Sequence, residues 1–300
     1  MADVATQLRK QFVEVGARPD IERPRVAAET IGDVSQDLSI WEKLGEKTWL
    51  RRLVVIVVLA IIWELYARYA SNELMFPSLS DTVAAWWDGM RSGVLIRAVY
   101  GTMQVLLLGY AVAIGISALI TTLAISTRVG TDVLATMTAM FNPLPAIAIL
   151  PLALLWFGLG ITSLIFVIVH SVLWAVSLNT LTGFLSVSQT QRMVGRNYGL
   201  RGVNFVLRIL VPAAFPSILS GLKIGWAFAW RTLIAAELVF GVSGSSAGLG
   251  WFIFQNRNAL ETANVFAGLL TVIIIGLIVE GIVFRSIEAI TVRRWGMQSS

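Results

Sequence analysis

The stretch YGLRGVNFVLRILVPAAFPSILSGLKIGWAFAWRTLIAAE, residues 198–237, decides the fold of this chain. Its first half is basic and punctuated by glycine, whereas its second half is a long apolar segment that carries Lys223, Arg231 and Glu237. A segment of that length and apolarity is typical of a helix that crosses a bilayer. We therefore expect a cytosolic basic segment that leads directly into a membrane span.

The composition extends this expectation to the whole chain. Of its 300 residues, 56% are hydrophobic and 14% are charged, and the mean hydropathy is +0.76. Several apolar stretches approach the ~20 residues that cross a bilayer as a helix. We predict an all-α membrane protein with six transmembrane helices at about 53–70, 98–124, 133–157, 161–184, 213–240 and 264–284. The third span contains the sequence NPLP at 142–145 and also Pro151, which should kink it.

The distribution of arginine predicts the topology. Arg51 and Arg52 precede the first span, and residues 186–208 carry four arginines and no acidic residue. Both features place these segments, and both chain termini, in the cytoplasm. We predict a cytoplasmic N-terminal extension with an interfacial helix at 1–52, a transmembrane domain at 53–290 that includes the loop 186–212, and a cytoplasmic tail at 291–300.

Several function classes are disfavoured by what the sequence lacks. There is no cysteine, and His170 is the only histidine, so we expect no metal site. The net charge of +5 suits an anionic membrane rather than nucleic acid. The glycine- and serine-rich run at 241–250 lacks the Lys-Ser/Thr of a phosphate-binding loop. No catalytic cluster is visible, so we expect that the chain is not an enzyme. A secondary transporter or channel that works without a motor remains an alternative.

The basic segment at 189–212 alternates arginine with apolar residues, a pattern that suits a short helix docked into a partner's groove. It resembles the Glu-Ala-Ala loop of ABC importer permeases, with Gly199, Ile209 and Val211-Pro212 at the family's Gly, Ile and Leu-Pro positions. The Glu-Ala-Ala itself is replaced by Met193-Val194-Gly195. The resemblance implies a coupling loop that docks an ATP-binding subunit through Arg192, Arg196, Tyr198, Gly199, Leu200, Arg201, Gly202 and Pro212.

Three further stretches resemble permeases for nitrate, taurine and alkanesulfonates. They are NPLPAIAILPLALLWFG at 142–158, FAWRTLIAAEL at 228–238 and GLGWFI at 248–253. The resemblance covers about residues 55–290 and implies a fold like that of type I ABC importers. It also implies a multi-pass protein of the bacterial inner membrane that carries a small anion, with an aromatic acid or a pyrimidine precursor left open.

The same resemblance implies the partners. They are a second copy of this chain in a homodimer, two cytoplasmic ATP-binding subunits and an external solute-binding protein. ATP and Mg²⁺ would bind the partner subunit, so this chain would hold no cofactor. Apart from the surrounding lipid, no other partner is expected, and nucleic acid is not one.

Charged residues inside membrane spans are costly and usually face a cavity or the bundle interior. The residues predicted to line the translocation path are Arg231, Glu237, Trp230, Asn142 and Pro145. The guanidinium of Arg231 matches an oxyanion well. The alternative is an ion pair of Arg231 with Glu64 or Glu280.

Two further polar residues of the spans are expected to have structural roles. Lys223, near the cytosolic end of its span, is expected to extend toward the headgroups. His170 is expected to be a packed, hydrogen-bonded residue of the fourth span rather than a ligand.

Overall fold

The computed structural model describes residues 48–72, 74–240 and 248–293, which contain helices and no strand. Most of the predicted N-terminal extension, most of the C-terminal tail and the loop at 241–247 lie outside these residues. The main helices are α1 Thr48–Ala70, α2 Leu79–Arg91, α3 Val94–Ala124, α4 Arg128–Phe141, α5 Leu150–Phe157, α6 Ile161–Ser186, α7 Gln189–Asn197, α8 Gly202–Ala213, α9 Phe215–Phe240, α10 Leu249–Asn258 and α11 Thr262–Val292. The all-α class is confirmed.

Four helices, α1, α3, α6 and α11, are long and apolar enough to cross a membrane. Two more candidates are bent pairs, and the described chain has six spans if each pair is counted as one. The chain divides by its internal packing after Val58. In the first unit, the described residues after Trp49 expose apolar side chains such as Ile56, as a helix that faces lipid does.

The third span is broken rather than kinked. Helix α4 ends at Phe141, and a short 3₁₀ turn, Ala146–Ile149, leads into α5 at an angle of 87° to α4. Pro143 and Pro145 lack the N–H groups that would continue the helix, and Pro145 has extended backbone. The prediction that Pro151 kinks the span is wrong, because Pro151 lies in the first turn of α5, where its missing N–H costs nothing.

The core lies around α6, which packs against both α3 and α9. Val167, Ile168 and Val172 of α6 are fully buried. Glycine permits the close approach on both sides. A Cβ at Gly109 of α3 would lie 3.0 Å from Ile168, and one at Gly225 of α9 would lie 3.0 Å from the Val176 side chain. Small residues of the second span therefore serve the helix contact that the sequence predicted.

Besides the helices of the basic segment, two helices lie outside the predicted spans. Between the first two spans is α2, whose N-cap Ser78 accepts a hydrogen bond from the backbone N–H of Asp81 at 3.1 Å. Between the last two predicted spans, α10 begins at Leu249. Helix α10 packs against α9 and α11, so it belongs to the bundle.

Candidate functional site

A cavity of about 340 Å³ opens where the third span breaks. The broken backbone lies on one side, and α6 and α9 form the others. Of the five residues predicted to line the path, Arg231, Asn142 and Pro145 line this cavity. We call it the Arg231 cavity, and its lining is completed by Phe141, Pro143, Leu144, Ala146, Ile147, His170, Ser171, Trp174, Phe228, Thr232 and Ala235.

The face of α9 that carries Arg231 differs from a lipid-facing surface. One side of the helix, which includes Trp226, Ala229 and Leu233, is buried in the core. The exposed stripe at helical spacing consists of Ser220, Ile224, Ala227 and Arg231. Three of these four residues are small or polar and Ile224 is the large apolar one, whereas a stripe that faces lipid consists mostly of large apolar side chains.

Arg231 has no ion-pair partner among the residues that the structure describes. Its Nε donates to the carbonyl of Ala227 at 3.0 Å, and its guanidinium lies 5.2 Å from the Phe228 ring centroid. Glu64, one suggested partner, instead pairs with Arg68 at 2.6 Å and accepts from the Ser80 N–H at 3.2 Å. Much of the guanidinium is therefore left for another acceptor.

Glu280, the other suggested partner, is exposed. A second groove of about 400 Å³ between α9 and α11 is lined by both residues, but they form no ion pair there. Trp230, the fourth predicted path residue, lines this groove instead of the Arg231 cavity and is 7% exposed. Lys223 also lines it, and rather than extending freely it pairs with Glu288 at 2.5 Å.

One wall of the Arg231 cavity is an aromatic cluster. The rings of Phe141 and Trp174 are stacked, with centroids 5.1 Å apart and planes 18° apart. His170 meets both edge-on, at 6.4 Å from Phe141 and 6.2 Å from Trp174. His170 is packed, as expected, but neither ring nitrogen has a hydrogen-bond partner among the described residues, and the indole N–H of Trp174 has none either.

The fifth predicted path residue, Glu237, lines neither cavity. Its side chain is fully buried and holds the N-terminus of α10. One carboxylate oxygen accepts from the backbone N–H of Gly250 at 2.8 Å, and both oxygens lie within 3.0 Å of the Thr102 hydroxyl. The Thr102 oxygen in turn accepts from the N–H of Leu249 at 2.8 Å. A carboxylate at a helix N-terminus satisfies free N–H groups and is favoured by the helix dipole.

The Gly-Leu-Gly at 248–250 makes this contact possible. A Cβ at Gly250 would lie 2.5 Å from the Cβ of Glu237 and 2.7 Å from the carbonyl oxygen of Ile234, so only glycine fits without displacement. Sequence reasoning singled out Glu237 and the glycines but missed Thr102. This threonine is fully buried among the small residues of the second span and gave no signal of its own.

The basic segment at 189–212 begins with helix α7, which Ser188 caps by accepting from the Gln191 N–H. Helix α7 ends in a tight reversal at Gly199, whose φ is +73°. There the N–H of Leu200 binds the carbonyl of Gly195, and the N–H of Gly199 binds that of Arg196, which is the Schellman pattern. The family's glycine position is thus a left-handed residue that ends this helix.

The residues predicted to dock a partner do not all face outward. Arg196, Tyr198 and Arg201 are exposed, as are Gly199, Gly202 and Pro212, and Leu200 is half-buried. Arg192 instead turns back, and its guanidinium donates to the carbonyls of Phe184 and Val187 at the end of α6. Arg192 therefore caps α6, which leaves carbonyls that need donors, and its part in docking stays a prediction.

The replacement of Glu-Ala-Ala has a local reason at its third position. Gly195 is buried, and a Cβ there would lie 2.7 Å from the Ile209 side chain and 3.0 Å from the Phe205 ring. The glycine lets α7 pack directly on α8. Met193 and Val194, at the first two positions, are exposed.

Comparison with known proteins gives consistent matches. A family described as "Binding-protein-dependent transport system inner membrane component" matches residues 111–295. A putative aliphatic sulfonates transport permease of Escherichia coli (strain K12) is 26% identical over 235 residues, 77% of this chain and 88% of the relative. The nitrate import permease of Synechocystis sp. is 28% identical over 239 residues, 77% and 85%. The taurine transport system permease of Escherichia coli (strain K12) is 34% identical over 141 residues, 47% and 50%.

The family match covers more than half of the chain, from the second span through the last, and includes both the Arg231 cavity and the basic segment. The relatives are named as permeases for aliphatic sulfonates, taurine and nitrate, and they are 26–34% identical to this chain over 47–77% of its length. The chain belongs to the family of binding-protein-dependent transport system inner membrane components, the permeases of ABC importers.

Proposed function

We propose that this chain is the permease subunit of an ATP-driven importer that moves a small organic or inorganic anion into the cytoplasm. The solute, of the class named for the relatives (sulfonate, taurine or nitrate), would arrive on an external binding protein. Two copies of the chain would enclose the path, and two ATP-binding subunits would hydrolyse ATP with Mg²⁺. In this proposal the chain itself is not catalytic, and its termini lie in the cytoplasm.

The observation that supports an anion most strongly is the state of Arg231. It is a cation on the exposed face of α9, it lines a cavity at a broken span, and it has no acidic partner among the described residues. A charged residue in a span is costly unless it has a partner or a function. A fork of N–H donors in a cavity is suited to the planar or tetrahedral oxygens of an oxyanion.

The link to ATP rests on the basic segment. Its exposed side chains combine arginine with apolar groups, including Tyr198, which is 82% exposed, and Val203, which is 57% exposed. Helix α8 continues into α9 at an angle of 81°. A push on the segment would therefore be transmitted to the helix that carries Arg231, as rigid-body tilting of a packed helix requires.

The test is uptake by vesicles that contain this chain with its ATP-binding subunit and binding protein. We expect ATP-dependent accumulation of labelled taurine, a sulfonate or nitrate. Changing Arg231→Ala removes charge-assisted hydrogen bonds of about 1.5–3 kcal/mol, so uptake at low solute should fall by roughly 10- to 100-fold. Arg231→Lys should retain part of the uptake activity.

The matched control is Arg97→Ala, which removes another exposed arginine that does not line the cavity. It should leave uptake within twofold of the parent. Equal uptake with and without ATP would favour a motor-independent transporter, and unchanged uptake in Arg231→Ala would remove Arg231 from the path.

A further inference from the structure

We infer that the Arg231 cavity is built for an anion that carries an aromatic ring, that is, an aryl carboxylate or aryl sulfonate. This rests on the proposed function, because it assumes that the cavity belongs to the solute path. It goes beyond the names of the relatives, which refer to aliphatic sulfonates, taurine and nitrate. Three features of the cavity carry the inference.

The first feature is size. The cavity measures about 340 Å³, which lies within the range on the order of 300–1,000 Å³ that holds organic ligands of several tens of atoms or fewer. A nitrate ion would leave most of this space empty. A ring with one acidic substituent fills more of it, so a ring-bearing solute makes contacts that a simple oxyanion cannot make.

The second feature is the wall. Phe141 and Trp174 form a stacked pair of rings, and Phe228 of α9 also lines the cavity. Aromatic rings prefer offset-stacked or edge-on neighbours at centroid distances of about 4.5–7 Å. An aliphatic sulfonate makes only general apolar contact with such a wall, whereas an aryl group can also stack on the rings or meet them edge-on. The wall therefore favours solutes that carry an aromatic ring.

The third feature is the arrangement of polar atoms. The guanidinium of Arg231 lies over Phe228, at 5.2 Å from the ring centroid. Among the described residues, only its Nε–H donates a hydrogen bond, to the carbonyl of Ala227. Arg231 therefore keeps N–H donors for an acid group, and Phe141 and Trp174 line the same cavity. The cavity thus offers a cation for the charge and aromatic rings for the rest of the solute.

The experiment measures direct binding to the permease with its ATP-binding subunit in nanodiscs, without the binding protein, so that the permease alone sets the preference. Labelled benzoate is the probe, and benzenesulfonate, taurine and nitrate are competitors. We expect benzoate to bind and benzenesulfonate to compete at concentrations at least tenfold lower than taurine or nitrate. The order of benzoate and benzenesulfonate shows which acid group the site prefers.

Variants locate the preference. Trp174→Leu should weaken benzoate binding at least fivefold, and Trp174→Phe, which keeps a ring, should weaken it less than twofold. The matched control is Trp251→Leu, which breaks the stacked pair Trp251–Phe254 (centroids 5.3 Å apart) outside the cavity and should change nothing. Arg231→Ala should weaken the binding of every anion by roughly 10- to 100-fold.

The inference is overturned if no benzoate binding is detected, if taurine or nitrate competes as well as benzenesulfonate, or if Trp174→Leu and Trp251→Leu behave alike. These outcomes are distinct from failure of the proposed function. A transporter with intact ATP-driven uptake of an aliphatic anion and no aryl preference contradicts only the inference. A chain that shows no ATP-driven uptake contradicts the proposed function itself.

Discussion

The contact of Glu237 with the start of α10 leads to a quantitative prediction. In the parent, the carboxylate accepts from the Gly250 N–H at 2.8 Å and from the Thr102 hydroxyl at 2.9 Å. Glu237→Gln keeps the volume but replaces one oxygen with an NH₂ group, which cannot accept. Both donors reach the same oxygen, Oε2, so an amide oxygen in that position still accepts from both, but the two hydrogen bonds become neutral. A hydrogen bond to a charged group is worth about 1 kcal/mol more than a neutral one, so detachment of α10 should become easier by about 2 kcal/mol.

The absence of cysteine from the sequence makes this measurable. Ile253 of α10 is 4% exposed and packs against Gly268 of α11, so an Ile253→Cys side chain reacts with a maleimide only when α10 detaches. If opening is fast relative to labelling, the rate follows the open population. A change of about 2 kcal/mol corresponds to roughly 30-fold faster labelling. All comparisons use the Ile253→Cys background.

Two further variants complete the test. Thr102→Val removes the other side of the contact, and the double change with Glu237→Gln should cost less than the sum of the two, with a coupling of about 1 kcal/mol. Glu280→Gln is the matched control, because Glu280 is exposed and should leave the rate within twofold. The reasoning is refuted if Glu237→Gln also stays within twofold, or if Glu280→Gln accelerates labelling as much.

Two predictions concern the basic segment. Gly199→Ala places a Cβ at φ +73°, so it should cost about 1 kcal/mol of local stability and weaken pull-down of the ATP-binding subunit. The control is Gly115→Ala, at a helical glycine with open space around it, which should leave pull-down unchanged. Equal pull-down by both variants would contradict the role of the reversal. Arg192→Gln should lower the thermal stability of the isolated permease, because it uncaps α6. Arg196→Gln should leave that stability unchanged and reduce only pull-down of the ATP-binding subunit. The reverse pattern would show that Arg192 faces the partner.

Local patterns in the sequence predicted the features that depend on neighbouring residues. Apolar length gave the spans, and the two prolines at 143 and 145 marked the break. Arg231 stood out because a charge inside a span is rare. Each of these signals is written within a few residues of the feature that it predicts.

The features that escaped prediction depend on contacts between distant parts of the chain. Thr102 donates a hydrogen bond to Glu237, which lies 135 positions further along the chain, and no local sequence pattern predicts such a pair. The helix start at Leu249 was hidden because its N–H groups are satisfied by those two side chains instead of a local cap. The hydrogen bonds of Arg192 to the last carbonyls of α6 also escaped prediction, because those acceptors carry no sequence signature.

The central claim is that ATP drives a change of access at the Arg231 cavity. It is tested most directly by Ala235→Cys, which lines the cavity, in the assembled complex with its ATP-binding subunit. The reaction rate with an anionic methanethiosulfonate is compared between the nucleotide-free and ATP-trapped complexes. Val239→Cys, one turn further on and 58% exposed, is the control. We predict that the rate at position 235 changes at least fivefold and that at 239 less than twofold. Equal rates in both states at position 235, or equal changes at both positions, would contradict the claim.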